Sequence, residues 1–82
     1  MTTNDAVAHR VLKLMKEKGY SQYKIEQKSA VYRGAMSRIL SFKNKSVSLA
    51  TVYKLARGFD MTVVEFLDDE VFADENIEVE WE

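Results

Sequence analysis

The stretch Tyr20–Ile39, YSQYKIEQKSAVYRGAMSRI, decides the fold. It reads as a short helical pattern, a tight break and a second helical pattern. Ser21 is placed to cap the first helix, its hydroxyl accepting from a backbone N–H that would otherwise lack a partner, and Tyr20 before it can pack on Ile25 as a hydrophobic staple. Ile25 and Ser29 then fall four apart on one face. The second helix offers Met36, Ile39 and Leu40 at three-to-four spacing, with Val31 and Met36 again in staple positions. Neither helix is long enough to bury its own apolar face. With only Ala30 and Val31 between them, the two must cross steeply around Ile25, Val31, Met36 and Ile39, a helix-turn-helix over about residues 21–40.

That crossing leaves Arg33, Gly34, Ser37 and Arg38 on the outer face of the second helix. Arginine and serine can donate to guanine edges or to phosphates, and a glycine lets another backbone come close. The pattern points to double-stranded DNA as the partner, with these four as base-reading candidates.

The stretch resembles the lambda-repressor-like helix-turn-helix family (Cro/cI-type, XRE). The resemblance runs through S-Q at Ser21 and Gln22, S-R-I at Ser37 to Ile39, S-L-x-T-V-Y-K-L-A at Ser48 to Ala56, and T-V-x-E-F-L at Thr62 to Leu67, covering roughly residues 5–67. No single motif decides it; the ordered set does. The resemblance implies an all-α, five-helix DNA-binding domain over 1–67, followed by a short acidic tail over 68–82. It also implies a small transcriptional regulator, expected to be a repressor, that binds a pseudo-palindromic site as a homodimer. Gln22 with the start of the second helix, and Tyr32, would grip phosphate. Lys43 and Lys45, in the loop after the recognition helix, would do the same and set register.

Three positions depart from the family's pattern: Glu26 stands where a small alanine is usual, Ala30 where a turn glycine is, and Tyr32 where a serine cap is. A non-glycine residue in the left-handed region costs only about 1 kcal/mol. Glu26 matters more, because a carboxylate beside a DNA-facing helix either repels phosphate or ties Arg33 or Arg38 in place. Both readings stay open on the sequence.

The net charge of −1 over 82 residues hides an asymmetry. Residues 1–64 hold all 12 Lys and Arg against Asp5, Glu17, Glu26 and Asp60, a net of +8, while residues 65–82 carry the other 9 acids. A basic body suits a polyanion and the tail does not, so a whole-chain pI near 5.8 misleads. With no cysteine there is no disulfide framework, no thiolate metal site and no catalytic thiol. The absence of a charged, apolar leader and of any run near membrane length argues for the cytoplasm and against a membrane partner. An enzyme is a poor reading: there is one histidine, no Gly-rich phosphate loop and no carboxylate pair in an apolar frame, and no cofactor is expected.

Along the chain, residues 1–4 read as a frayed lead-in. From Asp5 to Lys18, Val7, Val11, Leu14 and Met15 recur at helical spacing, His9, Arg10, Lys13, Lys16 and Glu17 take the other face, which reads as solvated before it reads as a second approach to DNA, and Gly19 closes the helix. His9 reads as a surface histidine. Phe42 sits where a glycine is common in the family and reads as a core plug. Ser48 caps a fourth helix whose broad apolar face takes in Leu49, Val52, Tyr53, Leu55, Ala56 and Phe59; Thr62 and Glu65 make a capping box for a fifth. Met15, Met36 and Met61 read as core filler.

The last stretch, DDEVFADENIEVEWE, changes character, with Ile77, Val79 and Trp81 alternating with glutamates at a strand period. Four readings stand side by side: a disordered acidic tail, a strand pairing between two copies, an acidic arm competing with DNA for the basic face, and a docking segment for another protein. The last of these makes an antitoxin-like interaction module the alternative to a simple regulator.

Overall fold

Four of the five helices begin at a side chain that caps their first turn. The structure, a computed structural model, describes residues 1–79. Five helices follow in order: α1 (Thr3–Lys18), α2 (Gln22–Ser29), α3 (Arg33–Leu40), α4 (Leu49–Gly58) and α5 (Val63–Leu67). Two single 3-10 turns, Glu70–Phe72 and Asp74–Asn76, carry the chain onward. Ser21, Ser48 and Thr62 cap α2, α4 and α5 by accepting from the N–H groups of Lys24, Thr51 and Glu65, as their spacing predicts. At Thr62 the box is reciprocal: the Thr62 N–H donates to the Glu65 carboxylate at 2.9 Å and holds it below the ordinary carboxylate pKa. Gly19 closes α1 with φ +69° and Ala30 closes α2 with φ +61°, so the turn takes the left-handed conformation without a glycine.

The first residues are not a frayed lead-in. Thr2 caps α1 in a reciprocal box with Asp5, so the helix starts at Thr3. Asn4 is fully buried, and its Nδ2 donates to the Ile39 carbonyl at 3.1 Å, occupying an acceptor in the last turn of α3.

The helices interleave: α1 packs on α3, α2 on both α3 and α4, and α4 also on α5. Between them lies one core built from Val7, Val11 and Leu14, from Ile25, Val31, Met36 and Ile39, and from Val52, Leu55, Phe59 and Phe66. Gly58 is buried where α4 meets α2. A Cβ there would stand 2.8 Å from both Ile25 Cδ1 and Ser29 Cβ. The apolar face of α4 is narrower than its sequence suggests, since Leu49 is 66% exposed and Tyr53 packs under the Arg57 guanidinium instead of in the core. Nor is Phe42 a core plug. It follows α3 at φ +62°, 40% exposed, with its ring 5.0 Å from that of His9.

Arg10 departs furthest from expectation. It does not join the solvated face of α1 but is buried, donating from Nε to the Phe66 carbonyl at 2.8 Å and from Nη2 to the Glu65 carbonyl at 3.1 Å. These carbonyls end α5, a helix too short to stand alone. Its Nη1 meets Asp69 at 3.3 Å, and Lys13 reaches the same carboxylate oxygen at 2.9 Å. The acidic tail thus begins by folding onto α1, and Phe72 packs its ring against Phe66. Among the described residues of the strand-period segment, Glu78 makes an isolated parallel bridge with Thr2, its N–H donating to the Met1 carbonyl at 2.7 Å. Over this residue the segment pairs within its own chain. Ile77 is half-buried and Val79 is 70% exposed; Trp81 lies outside the described residues.

Asp69 is held below its ordinary pKa first by the Val71 N–H, 3.0 Å away, and then by Lys13. A carboxyl with a depressed folded-state pKa stabilises the fold above its unfolded pKa of about 4 and loses that contribution as pH falls through the folded value. The stability deficit of Asp69→Asn is therefore expected to shrink between about pH 6 and about pH 3, followed by urea unfolding. A deficit that does not change with pH would place the contribution outside the charge of Asp69.

Candidate nucleic-acid interface

The side of α3 opposite Met36 and Ile39 carries Arg33, Gly34, Ser37 and Arg38, all exposed. The structure thus brings all four base-reading candidates onto one helix face, 33 with 37 and 34 with 38 at one-turn spacing. The turn that presents this face is held by Ser29, whose buried hydroxyl donates to the Ile25 carbonyl at 2.6 Å and accepts from the Val31 N–H at 3.2 Å.

Between α2 and α3 runs a chain of side-chain hydrogen bonds. Glu26 is 7% exposed, yet both carboxylate oxygens are engaged: Oε2 accepts from Gln22 Nε2 at 2.8 Å and Oε1 from Arg33 Nε at 3.3 Å. Gln22 Nε2 also donates to Ser37 Oγ at 3.3 Å. Of the two arginines that Glu26 could tie in place, the structure has the carboxylate paired with Arg33, not with Arg38. Arg38 instead donates from Nη2 to the Tyr32 hydroxyl at 3.2 Å. Tyr32 makes no side-chain cap to α3 and is 66% exposed. A Cβ at Gly34 would come within 2.9 Å of the exposed Tyr32 ring, which would have to turn aside. Tyr23 and Gln27, which belong to none of the sequence motifs, join Glu26, Tyr32 and Arg33 around a groove of about 680 Å³. Their signal was their spacing, four apart on α2 on the side away from Ile25.

The loop after α3 is anchored at its base. The Lys45 carbonyl accepts from Thr3 Oγ1 at 3.3 Å and from the Asn4 N–H at 3.4 Å, and the Lys43 and Lys45 side chains are exposed. Several other bases are engaged elsewhere. Arg10 and Lys13 serve Asp69; Lys28 pairs with Asp60 at 3.1 Å, which raises the lysine pKa. The cationic side chains at the surface of α3 and its following loop are Arg33, Arg38, Lys43 and Lys45.

A helix presenting two arginines, braced by the helix before it and followed by an anchored loop with two lysines, defines a helix-turn-helix DNA-binding domain. The chain matches the Cro/C1-type HTH DNA-binding domain over residues 10–71 and belongs to that family, which makes it a DNA-binding transcription regulator. Searches of curated proteins and of solved structures return no match. The family match extends past α5 into the first 3-10 turn, where Phe72 meets Phe66. Among the described residues, no helix is long and apolar enough to cross a membrane.

Proposed function

We propose that the protein binds double-stranded DNA sequence-specifically, as a homodimer on a pseudo-palindromic site, and represses transcription there. The observation that carries this reading is the exposed α3 face, on which Arg33 is held in a defined orientation by a buried carboxylate. Arginine placed in that way suits the paired acceptors of guanine in the major groove. One eight-residue helix reads only a short half-site, so a two-fold related copy lengthens the sequence recognised. Leu49 and Val64, 66% and 74% exposed, are apolar surface that such a copy would cover.

In this reading Arg33 contacts a base, with Ser37 and Arg38 beside it and Gly34 allowing close approach. The amide donors of Gln22 already serve Glu26 and Ser37, so the phosphate contact at the start of α2 falls to backbone N–H groups, and the exposed Tyr32 adds one at the start of α3. Lys43 and Lys45 hold the flanking backbone.

Two substitutions test the division of labour. Arg33→Ala is expected to weaken binding to the preferred site about tenfold while barely altering affinity for random duplex, because a bidentate contact discriminates between bases. Equal losses on both would reassign Arg33 to phosphate. Lys43→Ala is expected to weaken binding on every sequence and to flatten the slope of log K against log salt by about 0.9, the release of one counterion. An unchanged slope would show that Lys43 stays solvated in the complex.

A further inference from the structure

Arginine can meet the O6 and N7 acceptors of guanine in two ways, with Nε and one Nη side by side or with its two Nη groups end-on. In this protein one of these edges is engaged within the chain. Nε of Arg33 is occupied by Glu26 Oε1 at 3.3 Å, which leaves the end-on Nη1/Nη2 edge for a base. The carboxylate that does this cannot readily swing away, since it is 7% exposed and its second oxygen is held by Gln22 at 2.8 Å. The pair also carries no net charge, so Arg33 contributes directed hydrogen bonds with little general attraction to phosphate.

We infer that Glu26 is a positioning residue for base recognition, holding Arg33 by Nε so that its Nη1/Nη2 end meets guanine. The inference rests on the sequence-specific reading above and adds the residue that sets its selectivity. It has a signature that a merely structural role lacks. Without the carboxylate, Arg33 is free to turn to phosphates and the surface gains a positive charge. Affinity for random DNA then holds or rises while discrimination falls. A Glu26 that only maintained the fold would lower both affinities together.

The test is selection of bound sequences from a random duplex pool, followed by affinities on duplexes with each guanine replaced in turn. It is run on the full chain as wild type, Glu26→Gln, Arg33→Ala and the double variant. Glu26→Gln is expected to lose about tenfold in its preference for guanine at one position per half-site, with random-duplex affinity unchanged or higher. With Arg33 already alanine, the same change at Glu26 is expected to alter nothing at that position. Should Glu26→Gln melt early, Glu26→Ala, which leaves no polar side chain to bury, carries the same comparison. An unaltered guanine preference in the Glu26 variants overturns the inference, as does an equal loss when Arg33 is absent. If wild type selects no sequence at all, the sequence-specific reading falls with it; if wild type selects and the Glu26 variants select the same site, only this inference falls.

Discussion

Arg10→Met is expected to cost about 3 kcal/mol of unfolding free energy, the low end of what breaking a buried charged network costs. The side chain is 8% exposed and serves three acceptors on two segments more than fifty residues away in sequence. Methionine fills much of the same space but leaves the carbonyls of Glu65 and Phe66 without that donor and strips Asp69 of its buried partner. It also removes a guanidinium stacked 5.9 Å from the Phe66 ring centroid. In a domain this small the loss corresponds to a melting temperature lower by on the order of 15 °C. Lys13→Met is the control, since it removes the other, exposed partner of the same carboxylate and should cost clearly less than Arg10→Met. If the two substitutions cost the same, the buried network is not what holds α5 and the tail.

Gly58→Val is expected to cost about as much, roughly 3 kcal/mol, for a steric reason. Replacing a helical glycine ordinarily gains up to about 1 kcal/mol, so a loss has to come from the surroundings. Those surroundings cannot retreat: besides two side-chain atoms at 2.8 Å, the Ser29 Cα lies 3.0 Å from the added Cβ, and it belongs to backbone. Relief requires α2 to move away from α4, which would shift the helix that carries Glu26 and Gln22. DNA affinity measured well below the melting temperature should therefore fall as well. A variant as stable as wild type would mean that the two helices can separate at little cost.

Much of the fold was legible because capping is local chemistry. Ser21, Ser48, Thr62 and Gly19 each announce a helix end within four residues, and the apolar spacing of Ile25, Met36 and Ile39 follows from the helical period alone. Burial of Arg10 was not legible, because its partners are 55 to 59 residues distant in sequence, and a basic residue among lysines reads as solvated until the tail is seen to return to it. Asn4 was hidden in the same way, behind a partner 35 residues on. The buried breadth of α4 was not legible, since periodicity shows which residues share a face but not how far the neighbouring helices cover it. At the interface, the sequence picked out the exposed face of α3 and flagged Glu26 as unusual. Which arginine Glu26 would hold depends on the crossing of α2 and α3, and that is a tertiary fact.

The order in which the helices pack has a consequence for how the DNA-facing surface can move. Although α2 and α3 touch each other, α3 also rests on α1 and α2 on α4, so the motif is gripped from outside by elements that precede and follow it in the chain. Neither helix can melt without releasing one of those flanking contacts and, through the shared core, the other. The surface that meets DNA therefore belongs to the same cooperative unit as the rest of the domain. Hydrogen exchange at Met36 and Ile39 should report global opening, and loss of DNA affinity on heating should coincide with loss of helix in a single transition.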